Sequence, residues 1–144
     1  MTDQIVYTGG TFDLFHRGHL EFLRRCSLFG RVTVALNTDE FISSYKGKPP
    51  IATYEEREAV LMGCRYVDAV VPNTGGADSK PTIELVNPNI IIIGSDWARR
   101  DYYAQMGFDQ DWLDSRGIGL CYIPYTKGIS TSDLKARISS PPNA

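Results

Sequence analysis

Thr8-Gly9-Gly10-Thr11-Phe12-Asp13-Leu14-Phe15-His16-Arg17-Gly18-His19 is the stretch on which the fold of this chain turns. Residues 5–8 read as a short strand, and Leu20, Phe22, Leu23, Cys26 and Phe29 then recur at helical spacing until Gly30. A strand, a glycine turn and a helix in that order aim backbone N–H groups and the positive end of a helix dipole into one crevice, which suits phosphate. Gly9 and Gly10 are expected to let the main chain pass close to such a ligand. His16 and His19 are the chain's two histidines, and three residues apart on a first helical turn they project from nearly the same face. Gly18 lies between them, where a bulky side chain would block the pocket floor. A single histidine at a helix start is usually a satisfied end group; a pair behind a Gly-Gly turn reads as a shared anion site. The glycines do not spell G-x-G-x-x-G, the Walker A pattern is absent, and no Cys or carboxylate cluster completes a zinc site.

The rest of the chain supports that unit. Its 144 residues suffice for one core and not for two, so a single domain over residues 1–138 is expected, with a flexible tail at 139–144. A net charge of −2 gives no general attraction to nucleic acid or to an anionic membrane, and no apolar run approaches membrane-spanning length. Cys26, Cys64 and Cys121 are odd in number and embedded in apolar runs, which favours reduced thiols and a cytoplasmic protein.

Further strands are expected at 32–36, 69–71, 90–93 and 120–123, the second and fourth being continuous apolar runs of the kind buried in parallel sheets. Helices fall between them. Thr53 with Glu56 forms a capping box for a helix reaching about Cys64, Pro81 opens a helix through Val86 as its first residue, and Ser130 with Asp133 caps a last helix through Ile138. Residues 46–50, Lys46-Gly47-Lys48-Pro49-Pro50, read as an exposed loop carrying two cations, residues 73–79 as a mobile loop, and 98–116 as helical in pieces. Strands alternating with helices give an α/β fold, a Rossmann-like five-stranded parallel sheet flanked by helices. Ligands then bind beyond the strand C-termini, where residues 9–13, Asp39, Ser95, Asp96 and 126–131 gather.

Residues Gly10 to His19, together with Gly128-Ile129-Ser130-Thr131, resemble the cytidylyltransferase family of H-x-G-H nucleotidyltransferases, most of all its branch acting on glycerol 3-phosphate. The resemblance spans residues 6–138 and takes in Thr38-Asp39-Glu40-Phe41, Arg57, Arg65-Tyr66-Val67-Asp68 and Gly94-Ser95-Asp96-Trp97. It implies a homodimeric enzyme coupling CTP to a small phosphomonoester with Mg²⁺ and releasing pyrophosphate. His16, His19, Lys46 and Lys48 are the catalytic residues it implies, with Lys46, Arg65 and Lys80 toward the acceptor. Nucleotide contacts are implied for Gly10, Thr11, Phe12, Asp13, Gly18, Arg57 and Asp96 in the first part of the chain. At its end they are implied for Thr126, Gly128, Ile129, Ser130 and Thr131. No direct metal ligand is implied, Mg²⁺ being held by the nucleotide phosphates, with Asp13 the one candidate to touch it.

Several of these residues have a plain structural alternative. Lys46 and Lys48 fit a solvated loop, Arg57 could pair with Glu55, Glu56 or Glu58, and Asp13, Asp96, Ser130 and Thr131 fit turn or helix caps. The chain departs from the family where Tyr125-Thr126-Lys127 replaces R-T-E, which removes a fork of donors and leaves Lys127 as the nearby cation. An adenylyltransferase using ATP and a non-catalytic nucleotide-binding regulator therefore stand beside the cytidylyltransferase reading.

Overall fold

The apolar runs at 32–36 and 90–93 can be covered by helices on both faces because they have no polar side to show. In the computed structural model, which describes residues 3–94, 106–124 and 128–140, they form the two strands flanking the first. The order along the chain is β1 (Ile5–Gly10), α1 (Arg17–Ser27), β2 (Arg31–Asn37), α2 (Asp39–Lys46), α3 (Tyr54–Met62) and β3 (Ala69–Asn73). Then follow α4 (Lys80–Val86), β4 (Ile90–Gly94), α5 (Gln110–Arg116), β5 (Gly119–Ile123) and α6 (Thr131–Ser139). The strands form one parallel sheet in the order β3-β2-β1-β4-β5. The direction of winding reverses between β1 and β4, so a crevice opens beyond their C-terminal ends.

Alternation along β1 sends Val6 to one face and Tyr7 to the other, and each belongs to a separate core layer. Phe22, Leu23 and Cys26 of α1 and Leu61 of α3 cover the first face; Ile83 of α4 and Leu113 of α5 cover the second. With both faces closed, ligands are left the C-terminal edge of the sheet.

The five strands fall where the sequence puts them, each extended by up to two residues. The helices differ more. α1 ends at Ser27 with Leu28 as its cap, three residues before the expected stop at Gly30. Pro81 is the second residue of α4, behind Lys80. α2 takes in Lys46, the first residue of the expected 46–50 loop: Thr38 caps it by accepting from the Phe41 N–H at 3.2 Å, and left-handed Gly47 ends it. Lys46 is therefore a helical residue. The 73–79 segment is tied down, with Asn73 and Ser79 buried and Asn73 bonded to the Gly76 carbonyl at 3.2 Å. Of the expected 98–116 segment, α5 is the described helical part. Among the described residues no helix is long and apolar enough to cross a membrane.

Candidate active site

The turn from β1 into α1 carries its left-handed backbone on Phe12 and Leu14, each with φ of 50°, while neither Gly9 nor Gly10 has a positive φ. The two glycines are therefore not what lets the backbone turn left-handed here. Gly10 is small because a Cβ there would stand 2.8 Å from the Phe12 ring. Left-handed non-glycine residues cost about 1–3 kcal/mol each and persist only where the surroundings over-determine them. Here they do. The Asp13 carboxylate, 5% exposed, accepts from the backbone N–H of Leu14 (3.1 Å), Ile51 (2.8 Å) and Ala52 (2.9 Å). The Thr11 carbonyl accepts from Arg57 Nη1 at 2.9 Å, and the Asp13 carbonyl accepts from Thr131 Oγ1 at 2.9 Å.

His16 is the N-cap of α1, and its Nδ1 accepts from the Gly18 N–H at 3.0 Å. His19, three residues on, accepts from the His16 N–H through its own Nδ1 at 3.2 Å. Two imidazoles thus build the capping box that a hydroxyl and a carboxylate usually build. A ring nitrogen that accepts is not protonated, so each neutral ring carries its hydrogen on Nε2, which neither cap uses. The rings stack with centroids 3.8 Å apart, and His19 also meets Phe12 and Phe15 at 5.2 and 5.5 Å. Burial, helped by His16 and opposed weakly by Asp13, pushes the His19 pKa down to about 4. Burial lowers that of His16 as well. At neutral pH the turn presents two neutral donors side by side at a helix N-terminus. Gly18 makes this possible: a Cβ there would lie 2.8 Å from His16 Cε1 and 3.4 Å from Ile129 Cγ2.

That contact joins the two ends of the chain. Ile129 packs against Gly18, Thr131 bonds to Asp13, and Ser130 caps α6 by accepting from the Asp133 N–H at 3.0 Å. The α1 and α6 N-termini therefore stand at the same turn, with left-handed Gly128 (φ 85°) leading in. Asp96 and Thr126 lie outside the described residues.

The cations divide. Lys46 closes α2, its Nζ 5.8 Å from the ring centroid of Tyr45, whose hydroxyl is 3.5 Å from Thr11 Oγ1; Lys46 and Lys48 are both exposed beside the turn. Lys80, half-buried, opens α4 at the neighbouring strand end. Arg57 faces inward. Its side chain is 1% exposed, and it donates to the carbonyls of Ala52 (3.0 Å), Thr11 and Asn37 (2.9 Å each) and to Asp39 Oδ1 (2.6 Å). This fits neither the expected nucleotide contact nor a pairing with Glu55, Glu56 or Glu58. Arg65 is exposed on the connection into β3, at the N-terminal end of that strand, and is not brought to the histidines. Sequence reasoning missed Asn37 and Asn73, which end β2 and β3 as register partners and bond to each other at 3.1 Å. Two asparagines ending successive strands were the available signal.

A family model described as cytidylyltransferase-like matches residues 7–137. The chain is 35% identical over 134 residues to the glycerol-3-phosphate cytidylyltransferase of Staphylococcus aureus (strain NCTC 8325 / PS 47), covering 92% of this chain and 93% of that one. It is 36% identical over 135 residues to the enzyme of the same name from Bacillus subtilis (strain 168), covering 93% and 96%. Among solved structures, the lipopolysaccharide core biosynthesis protein from Thermoplasma volcanium GSS1 matches with a TM-score of 0.68 at 25% identity, over 86% of this chain and 98% of that one. With the paired imidazoles and the two helix N-termini meeting at one turn, these likenesses make the chain a nucleotidyltransferase belonging to the cytidylyltransferase-like family.

Proposed function

We propose that the protein couples CTP to a small phosphorylated alcohol, glycerol 3-phosphate in first place, to give a CDP-alcohol and pyrophosphate. The observation that carries this reading is the pair of Nε2–H donors fixed at the α1 N-terminus by Nδ1 bonds to the backbone. A phosphate monoester has a second pKa of roughly 6, so the acceptor is largely dianionic near neutrality and needs no general base. Its oxygen forms a bond to the α-phosphorus of CTP as the bond from that phosphorus to the bridging oxygen breaks, and pyrophosphate leaves with the electron pair. Catalysis is then positioning and charge stabilisation. His16 and His19 donate to the α-phosphate oxygens as charge builds there, and the α1 and α6 N-termini add to the same field.

Gly10, Thr11, Phe12, Gly18 and the 128–131 segment shape the nucleotide side. Lys46 approaches the phosphates from the end of α2 and Lys48 from the loop that follows it, and Lys80 meets the acceptor phosphate. Asp13 and Arg57 hold the turn in place, and Arg65 takes no part in the crevice of its own chain. Mg²⁺ supplies charge neutralisation on the nucleotide phosphates. The Asp13 carboxylate, engaged by three backbone N–H groups, fits a loop tie better than a metal ligand. Exposed Leu20, Val60 and Met62 on α1 and α3 support a homodimer, and three free cysteines suit a reducing cytoplasm.

Pyrophosphate release with Mg²⁺, crossing CTP and ATP against glycerol 3-phosphate, phosphocholine, phosphoethanolamine, pantetheine phosphate and a sugar 1-phosphate, tests this reading. Release with CTP and glycerol 3-phosphate is the expected result. Preference for ATP would overturn the choice of nucleotide, and tight nucleotide binding without release would point to the regulatory alternative.

A further inference from the structure

A line of neutral polar side chains crosses the C-terminal edge of the sheet beside the phosphate turn, and of its members the transfer step described above uses only Thr11. Asn73, 5% exposed, donates through Nδ2 to the Gly76 carbonyl at 3.2 Å and to Asn37 Oδ1 at 3.1 Å. Its Oδ1 accepts from Thr82 Oγ1 at 3.4 Å. Asn37 donates through Nδ2 to Thr11 Oγ1 at 3.1 Å, and Thr11 Oγ1 lies 3.5 Å from the Tyr45 hydroxyl.

The direction of this chain of bonds is fixed by one group. A carbonyl can only accept, so Gly76 decides which end of the Asn73 carboxamide is nitrogen. Both of that nitrogen's hydrogens are then in use, and the atom of Asn37 that meets it must be oxygen. The nitrogen of Asn37 must in turn face Thr11. Asn37 is half-buried, and after these bonds it keeps one Nδ2–H and one Oδ1 lone pair. A carboxamide pinned on both sides has little rotamer freedom left to lose when a ligand arrives. It offers a donor and an acceptor together, matching an alcohol hydroxyl, and it is neutral where the nearby lysines are charged. Thr11 connects it to the phosphate turn, and Asn73 connects it to the segment that leads to Lys80.

We propose that Asn37, held by Asn73 and Thr11, is a specificity-determining residue that reads a hydroxyl of the acceptor, so that the site prefers phosphorylated polyols over simple alkyl phosphates. The proposal rests on the transfer reading given above. The test is steady-state kinetics of the full chain and its Asn37→Ala and Asn73→Ala variants with CTP, comparing glycerol 3-phosphate with propyl phosphate, which lacks both hydroxyls. Asn37→Ala is expected to lower kcat/KM for glycerol 3-phosphate by roughly tenfold or more through the acceptor KM. With propyl phosphate the loss is far smaller, and the KM for CTP stays put. Asn73→Ala unpins the same carboxamide without removing it and follows in the same direction with a smaller loss. Equal losses on both acceptors, or a rise in the KM for CTP, would overturn the proposal and leave Asn37 a support of the sheet edge. Wild-type protein that turns over neither acceptor would overturn the transfer reading instead. Calorimetric titration of glycerol 3-phosphate into wild type and Asn37→Ala would then decide: weaker binding to the variant supports the proposal, and equal binding or none to either contradicts it.

Discussion

His16 and His19 divide each ring between the fold and the crevice, whereas Arg57 commits its guanidinium to the fold. Both regions bear side chains able to meet a phosphate, and both lie within hydrogen-bonding reach of the same turn. They differ in the hydrogens left over. Each imidazole uses Nδ1 as an acceptor and keeps an Nε2–H. Of the five N–H donors of a guanidinium, four of those on Arg57 are directed to the Ala52, Thr11 and Asn37 carbonyls and to Asp39, inside a side chain that solvent barely touches. Capping and the proposed catalytic role are therefore not competing accounts of the histidines, because one ring has a nitrogen for each. For Arg57 the scaffold takes four of the five donors and all but about 1% of the side-chain surface.

The largest effect should come from breaking the Arg57 hub. Arg57→Ala strands several carbonyls and the Asp39 carboxylate, and a loss of about 3 kcal/mol of stability is expected, read as a lowered denaturation midpoint. A stable variant with weakened CTP binding would erase the distinction between the two regions. Next comes His19→Ala, expected to cost on the order of 10²-fold in turnover under saturating substrates. His19→Gln, which can accept from the His16 N–H and still donate, should recover part of it, whereas unchanged turnover in His19→Ala would remove the donor role.

Gly18→Ala sharpens the comparison. Alanine favours a helix, but the new Cβ pushes the His16 ring off its bond to the Gly18 N–H, so the lost cap offsets that gain, stability changes little or falls by about 1 kcal/mol, and turnover falls by roughly tenfold. A separate check is the pH dependence of stability. The His19 pKa is about 4 in the fold against an ordinary value near 6.5, so the unfolded chain binds more protons between those values. Stability should therefore fall as pH drops from about 6.5 toward about 4 and be level with respect to this group above that range. Thermal melts across pH in wild type and His19→Gln check it, and parallel curves would contradict the assignment.

The strands were legible because apolar runs such as 90–93 leave few other choices, and the parallel order followed from the alternation with helices. The paired motifs were legible too, and the contacts of Ile129 with Gly18 and of Thr131 with Asp13 give their proximity a physical cause. α2 was not. Its eight residues are short, and polar Thr38-Asp39-Glu40 reads as loop unless Thr38 is seen as a cap and Gly47 as the matching stop. The inward turn of Arg57 could not be read from its own helix, since its partners lie on four other segments, and the Asn37–Asn73 bridge depends on strand order that composition does not show. The strain at Phe12 and Leu14 was hidden as well, because the neighbouring glycines seemed sufficient to make the turn.

Because the chain has two histidines, its imidazole nitrogens can be assigned with little overlap. The most direct test of the central claim is ¹⁵N NMR of the histidine rings at pH 7. Both are predicted to be neutral, protonated at Nε2 and bare at Nδ1. A proton on either Nδ1, or a charged ring at that pH, would contradict the claim that these histidines cap the helix with one nitrogen and face the nucleotide with the other.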